Sequence, residues 1–209
     1  MTALSVNDRV RFTPASYEGR EGAPVYLLGA LGFRERPRFR ADLQASGAPF
    51  TPDTAFAVAA RKLVEQLEPD NMAELLATID AFTDLLAQDT AQPLQPLADD
   101  ASDDDKAERQ AETDRRKAII TPYEQVLDAL RGHQQLDRLF GQRALFQELA
   151  PPLAAAYGLR GWENVKQPFR RVNGVVPDEL MDALPQADQL AIGAEVLRLM
   201  TVSAAQRGN

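Results

Sequence analysis

Histidine is the usual acid–base catalyst near neutral pH, and this 209-residue sequence contains one, His133. A catalytic histidine also needs a partner that orients its ring, and the sequence does not reveal one. Gly132 precedes His133 and two glutamines follow it, a pattern typical of a polar break between helices. We therefore expect His133 to be structural.

Other chemistry that a sequence pattern can reveal is not indicated. There is no cysteine, which excludes disulfides, thiolate metal sites and thiol nucleophiles. The aspartates of residues 99–105 lack the central glycine and distal glutamate of a calcium-binding EF-hand loop. Phosphate-loop, Gly-x-Ser-x-Gly and His-Glu-x-x-His motifs do not occur. We predict a protein that is not an enzyme, with no catalytic residue, cofactor or metal ion.

The charge balance argues against nucleic acid as a partner. The chain has 31 Asp and Glu residues against 23 Lys and Arg residues, and a net charge of -8 repels a phosphate backbone. No cationic start precedes an apolar stretch, and no apolar run approaches the roughly 18 residues that a membrane-spanning helix needs. We expect a cytoplasmic protein that binds neither nucleic acid nor membrane.

Four arginines at two-residue spacing form a basic cluster: Arg34, Arg36, Arg38 and Arg40. On a helix this spacing spreads the side chains over most of the circumference, so they do not line one groove. We favour a solvated helix face, and the alternative is a patch for an anionic partner. The acidic residues 99–105 could dock there, within the molecule or between molecules.

The predicted elements begin with two short strands near residues 10–13 and 25–28, separated by a loop rich in Gly and Pro. Because two strands alone are only marginally stable, we expect them to lie against the following helices. Helical periodicity then predicts an arginine-rich helix over residues 33–45. Two more helices, starting near Thr51 and residue 70, should form an αα-hairpin.

The second half of the chain predicts further helices. A charged helix over residues 106–120 is followed by a helix that restarts with Thr121 as its cap. An apolar helix from Leu136 should end at Pro151-Pro152, and two helices should follow Pro177 and Pro185. The predicted fold class is therefore mainly α, made of helical bundle pieces with a short N-terminal segment resembling a β-hairpin.

Prolines and clustered aspartates predict an exposed linker over residues 91–105. The predicted domains are residues 1–90, an N-terminal α+β piece with the helical hairpin, and residues 106–209, a C-terminal helical domain. Between them the linker would separate two independent cores.

The single tryptophan lies in the segment from Gly158 to Val165, which we interpret as a turn flanked by glycine. Trp162 is either a structural plug between helical pieces or an anchor for a protein partner, because tryptophan serves both roles. We favour the plug and treat Trp162, Glu163, Asn164 and Val165 as fold-defining or partner-binding candidates.

An ordered pattern carries a family resemblance: an aromatic and leucine-rich helix over residues 136–149, the Gly-Trp-Glu-Asn-Val segment, then Asn173-Gly174 and a helix-rich end. Residues 135–209 thereby resemble the tail assembly chaperones of long-tailed bacteriophages. The resemblance covers about a third of the chain, and the strands and the arginine-rich helix do not belong to it. That family has no catalytic residues to carry over.

The resemblance implies a non-enzymatic protein in the cytoplasm of a bacterial host. It would bind the aggregation-prone tape measure protein, the tail-tube protein or both during tail assembly. The alternatives are a structural head–tail connector or minor tail component, which would form a ring through subunit interfaces, and an uncharacterised enzyme. The sequence leaves homo-oligomerisation open.

Overall fold

The computed structural model describes residues 9–91, Leu97 and residues 101–205, without the side chains of residues 201–205. Within these residues, the predicted fold class of mainly α structure with a minor β component is confirmed. The elements are β1 (Val10–Phe12), β2 (Val25–Leu28), α1 (Glu35–Ala45), α2 (Asp53–Leu67), α3 (Met72–Ala91), α4 (Asp103–Ala129), α5 (Gln134–Gly158), β3 (Leu159–Glu163), α6 (Asp178–Met181) and α7 (Gln186–Ala205).

The chain forms two compact units that do not coincide with the predicted domains. Unit 1 consists of Met1–Phe50 and Gln142–Asn209, and unit 2 consists of Thr51–Gly141. The prediction cut the chain at its acidic segment because composition changes there. The observed division instead follows strand pairing, which joins the N-terminal strands to β3, some 130 residues later in the chain.

The acidic segment begins a helix where the sequence predicted a linker. The Ser102 hydroxyl accepts a hydrogen bond from the Asp105 backbone N–H at 3.1 Å, and the Asp105 carboxylate accepts one from the Ser102 N–H at 3.0 Å. This capping box places three aspartates in the first turn of α4, where the helix dipole favours negative charge. Residues 92–96 and 98–100 of the predicted linker lie outside the described residues.

Helices α2, α3 and α4 form the core of unit 2, together with the first turns of α5. The rings of Phe82 and Tyr123 stack at a centroid distance of 3.7 Å. The predicted restart of a helix at Thr121 is wrong, because α4 continues through Pro122 and buries Tyr123, Val126 and Leu127.

Unit 1 contains a three-stranded antiparallel sheet in the order β1-β2-β3. The N-terminal strands share a core with helices, as expected, but they also pair with a third strand. The interpretation of the segment around Trp162 as a turn is wrong for residues 159–163, which form β3. Gly158 ends α5, and its carbonyl accepts the Gly29 N–H at 2.9 Å, so the chain enters β3 directly beside β2. Pairing with a third strand supplies the partner that the first two lack.

Helix α5 passes through Pro151 and Pro152, which were predicted to end it. An interior proline costs a helix about 3 kcal/mol, so the remaining residues must offset that loss. They do so by burial: Ala154, Ala155, Ala156 and Tyr157 all lie in the core of unit 1.

Candidate functional site

The segment that carries Trp162 is an edge strand with one irregularity. Trp162 is paired with Tyr26 and Leu159 with Leu28, and a register shift between these pairs leaves Arg160 as an extra residue. Such a bulge redirects a side chain out of the regular alternation. Trp162 consequently faces the core of unit 1, and Arg160 turns toward α1.

Trp162 is half-buried and its polar atom is satisfied within the chain. Its Nε1–H donates to the Gln167 carbonyl at 2.7 Å, and its ring meets Phe169 edge to face with centroids 5.0 Å apart. Val165 also packs against this core. These contacts favour the plug over the partner anchor.

The other two candidates of this segment hold the sheet and its loops together. Glu163 binds the Arg11 guanidinium through two hydrogen bonds of 2.6 and 2.8 Å, which links the two edge strands. Asn164 has a left-handed backbone conformation with φ of 59°, and its side chain donates to the Ala23 carbonyl at 2.9 Å. Both interactions are exposed, so they help to fix the positions of the strands and the loop and do not contribute to the core.

A partly buried cluster of charges lies where α1, β3 and a two-residue turn meet. The Glu35 carboxylate accepts hydrogen bonds from Arg160 at 2.7 and 3.1 Å and from Arg171 at 3.0 Å. The Arg171 side chain also donates to the carbonyls of Tyr157 and Gly174. Val172 and Val175 pair across the Asn173-Gly174 turn, which holds Arg171 in place. One carboxylate thus joins three separate segments.

The electrostatics of this cluster follow from its composition of two guanidinium groups and one carboxylate. Burial alone would raise the pKa of Glu35, but the Gly32 N–H and the two arginines outweigh it and hold that pKa below its usual range. Burial, together with the nearby Arg160 charge, lowers the pKa of Arg171. The geometry of the cluster serves to fix α1 on the sheet.

Two tyrosines bind carboxylates inside unit 1. The Tyr26 hydroxyl donates to Asp188 at 2.6 Å in the buried core, and the Tyr157 hydroxyl donates to Asp42 at 2.6 Å. Burial first, and then the neighbouring carboxylate, raise the pKa of both phenols, that of Tyr157 to about 12. Both tyrosines are therefore held in the neutral form.

The Tyr157→Phe variant tests this arrangement by its pH dependence. A phenol whose folded pKa exceeds the ordinary value of about 10 contributes stability that is complete below pH 10 and is lost as the pH rises toward 12. Urea unfolding of the native protein at several pH values should therefore show a steeper decline above about pH 10 than in Tyr157→Phe. Equal slopes for the two proteins would contradict the assignment.

The structure separates the charges of α1. Its two carboxylates, Glu35 and Asp42, bind partners in unit 1, whereas Arg34, Arg38 and Arg40 are exposed. Arg36 differs from the other arginines in being half-buried, and its Nε donates to the Leu31 carbonyl at 3.0 Å. The exposed Arg38 donates to the Asn173 carbonyl at 3.4 Å. Immediately before Arg34, the phenyl ring of Phe33 is 88% exposed.

A second exposed aromatic group lies elsewhere on unit 1. Phe50 is 68% exposed, and its ring meets that of Phe146 edge to face with centroids 5.4 Å apart. Leu145, the neighbour of Phe146, is 43% exposed. We call Phe50 and Phe146 the aromatic patch. The sequence did not identify Phe33 or Phe50, because a phenylalanine in a loop carries no periodic signal of its exposure.

Over residues 9–91, 97 and 101–205, no group of three His, Cys, Asp or Glu side chains is arranged to hold a metal ion. Within the same part of the chain, none of the helices has the length and apolar character for crossing a membrane.

His133 caps the first turn of α5, where its carbonyl accepts the Leu136 N–H at 2.9 Å.

Comparison of the chain with protein-family models, with curated proteins and with solved structures gives no match.

Proposed function

We propose that this protein is a non-enzymatic chaperone of phage tail assembly, which binds the tape measure protein, the tail-tube protein or both in the host cytoplasm. The proposal of the client rests on the resemblance of residues 135–209 to that family. The single observation that supports protein binding is the aromatic patch, where two phenylalanine rings contact each other and one of them remains 68% exposed.

The patch has the properties of a site for an apolar client segment. Large aromatic side chains dominate the energetics of protein interfaces, and exposing them to water is unfavourable unless a partner covers them. Unit 2, with 19 Asp and Glu residues against 9 Lys and Arg residues, would meanwhile keep a complex with an aggregation-prone client dispersed by charge repulsion. A site that binds and releases apolar segments of a client needs no catalytic group.

Co-expression tests this function. The clients are the tape measure and tail-tube candidates from the same genome, and the readout is the amount of soluble complex recovered with this chain. We expect native protein to keep a client soluble and Phe50→Ser to lose most of that effect. Leu190→Ser is the matched control, because it removes a 41% exposed leucine outside the patch. Insoluble clients, with the chain alone forming a fixed ring, would favour the head–tail connector or minor tail component.

Trp162→Ala separates the two roles of the tryptophan in the same assay. Removing a fully buried large aromatic costs about 3 to 5 kcal/mol, and a half-buried one should cost about 2 kcal/mol. If Trp162 is a plug, the variant should unfold at lower urea concentration, and the protein that remains folded should still bind its client. Unchanged stability with lost client binding would show that Trp162 is an anchor.

A further inference from the structure

The two units carry very different charges. Unit 1 has 14 Lys and Arg residues against 12 Asp and Glu residues, and unit 2 has 9 against 19. Unit 1 is therefore slightly positive, and the net negative charge of the protein belongs to unit 2. A protein divided in this way attracts the opposite unit of a second copy, even though its net charge repels that copy as a whole.

Unit 1 has an exposed phenylalanine next to positively charged side chains. Phe33 is 88% exposed immediately before α1, and the exposed Arg34 and Arg38 lie four residues apart on one side of that helix. Arg34 already has helical backbone angles, with φ of -83° and ψ of -25°. Residues at this spacing have Cβ atoms about 5 to 6 Å apart.

Unit 2 contains an open cavity of about 590 Å³ along α4. Leu97 and Ala111 give it apolar surface, and the other lining residues in the described part of the chain are charged: Asp105, Glu108, Arg109, Glu112 and Arg115. Glu112 binds Arg115 at 2.8 Å, so these two charges offset each other. The exposed Asp104 and Glu108 are again four residues apart, the same spacing as the two arginines.

We propose that Phe33 of one copy inserts into the α4 cavity of a second copy, while Arg34 and Arg38 face Asp104 and Glu108. The cavity volume lies in the range that accommodates a small organic group, and the charges around ring and cavity are complementary. Each such contact joins two different surfaces, the ring of one copy and the cavity of another. This inference concerns the purified chain alone and does not depend on a client.

Sedimentation velocity tests the contact over protein concentrations from about 1 µM to 1 mM, the range of moderate to weak affinity. The native protein should show reversible growth in mean mass, and raising salt from about 0.05 to 0.5 M should weaken association at least about tenfold. Phe33→Ala should stay monomeric. Val58→Ala, which alters a 68% exposed side chain on α2, should associate like the native protein.

A mixing experiment provides the sharper test. Ala111→Trp fills the cavity and should be monomeric alone, like Phe33→Ala. Together the two variants retain one intact ring and one intact cavity, so their mixture should form dimers that do not grow further. A native protein that remains monomeric at every concentration, or a mixture without dimers, would overturn the proposal. Both substituted residues are exposed, so thermal unfolding of the variants should match that of the native protein.

Discussion

Replacing Gly193 with alanine should lower the free energy of unfolding by about 3 kcal/mol, because the added methyl group has no space. Gly193 is buried on α7, and a Cβ atom there would collide with the backbone carbonyl of Pro151 in α5. A flexible side chain could rotate away, but a backbone oxygen can move only if one helix shifts. The two helices would have to separate, which would loosen the core around Ile192 and Val196.

Gly141→Ala is the matched control for this substitution, since Gly141 also lies within a helix. No atom outside its own helix and chain neighbours lies within 4 Å of a Cβ placed there. Alanine should stabilise this position by about 0.5 to 1 kcal/mol, because glycine loses more backbone entropy in a helix. Urea unfolding monitored by circular dichroism gives both values. Similar effects of the two substitutions would show that α5 and α7 do not approach closely at Gly193.

This close approach illustrates what the sequence could not predict. Local periodicity correctly predicted the strands near residues 10–13 and 25–28 and most helices, because the repeat of apolar residues within one element is a local property. Proline is also a local signal, and at Pro151 and Pro152 it led to a wrong helix end. Whether a helix survives a proline depends on what the following turns bury, and their partners on α7 lie some 40 residues away.

The third strand and the charge cluster were missed for a related reason. Leu159 to Glu163 contains a glycine and two charged residues, and only pairing with β2 makes it a strand. The arginines next to Glu35 in the sequence formed the predicted basic cluster. The arginines that form ion pairs with Glu35, Arg160 and Arg171, are more than 120 residues away. The spacing of charged residues along a sequence does not indicate which of them will form ion pairs. Distant pairs such as these are therefore visible only in the folded structure.

Glu35→Gln should lower the free energy of unfolding by about 3 kcal/mol, because it leaves two partly buried guanidinium groups without a counter-ion. Only 13% of the Arg160 side chain and 22% of the Arg171 side chain are exposed, so water cannot replace the carboxylate effectively. The native cluster holds the pKa of Glu35 below its usual value. Its contribution is therefore present at neutral pH and is lost as the pH falls through that lowered pKa.

Glu163→Gln is the control, because it removes a carboxylate with similar bidentate geometry on Arg11 but in an exposed position. Exposed ion pairs contribute little, so its urea midpoint at neutral pH should change far less than that of Glu35→Gln. Adding Arg171→Met to Glu35→Gln should recover part of the lost stability, since it removes one of the two repelling charges. If Glu35→Gln and Glu163→Gln have equally small effects, the cluster does not hold α1 to the sheet through its charges.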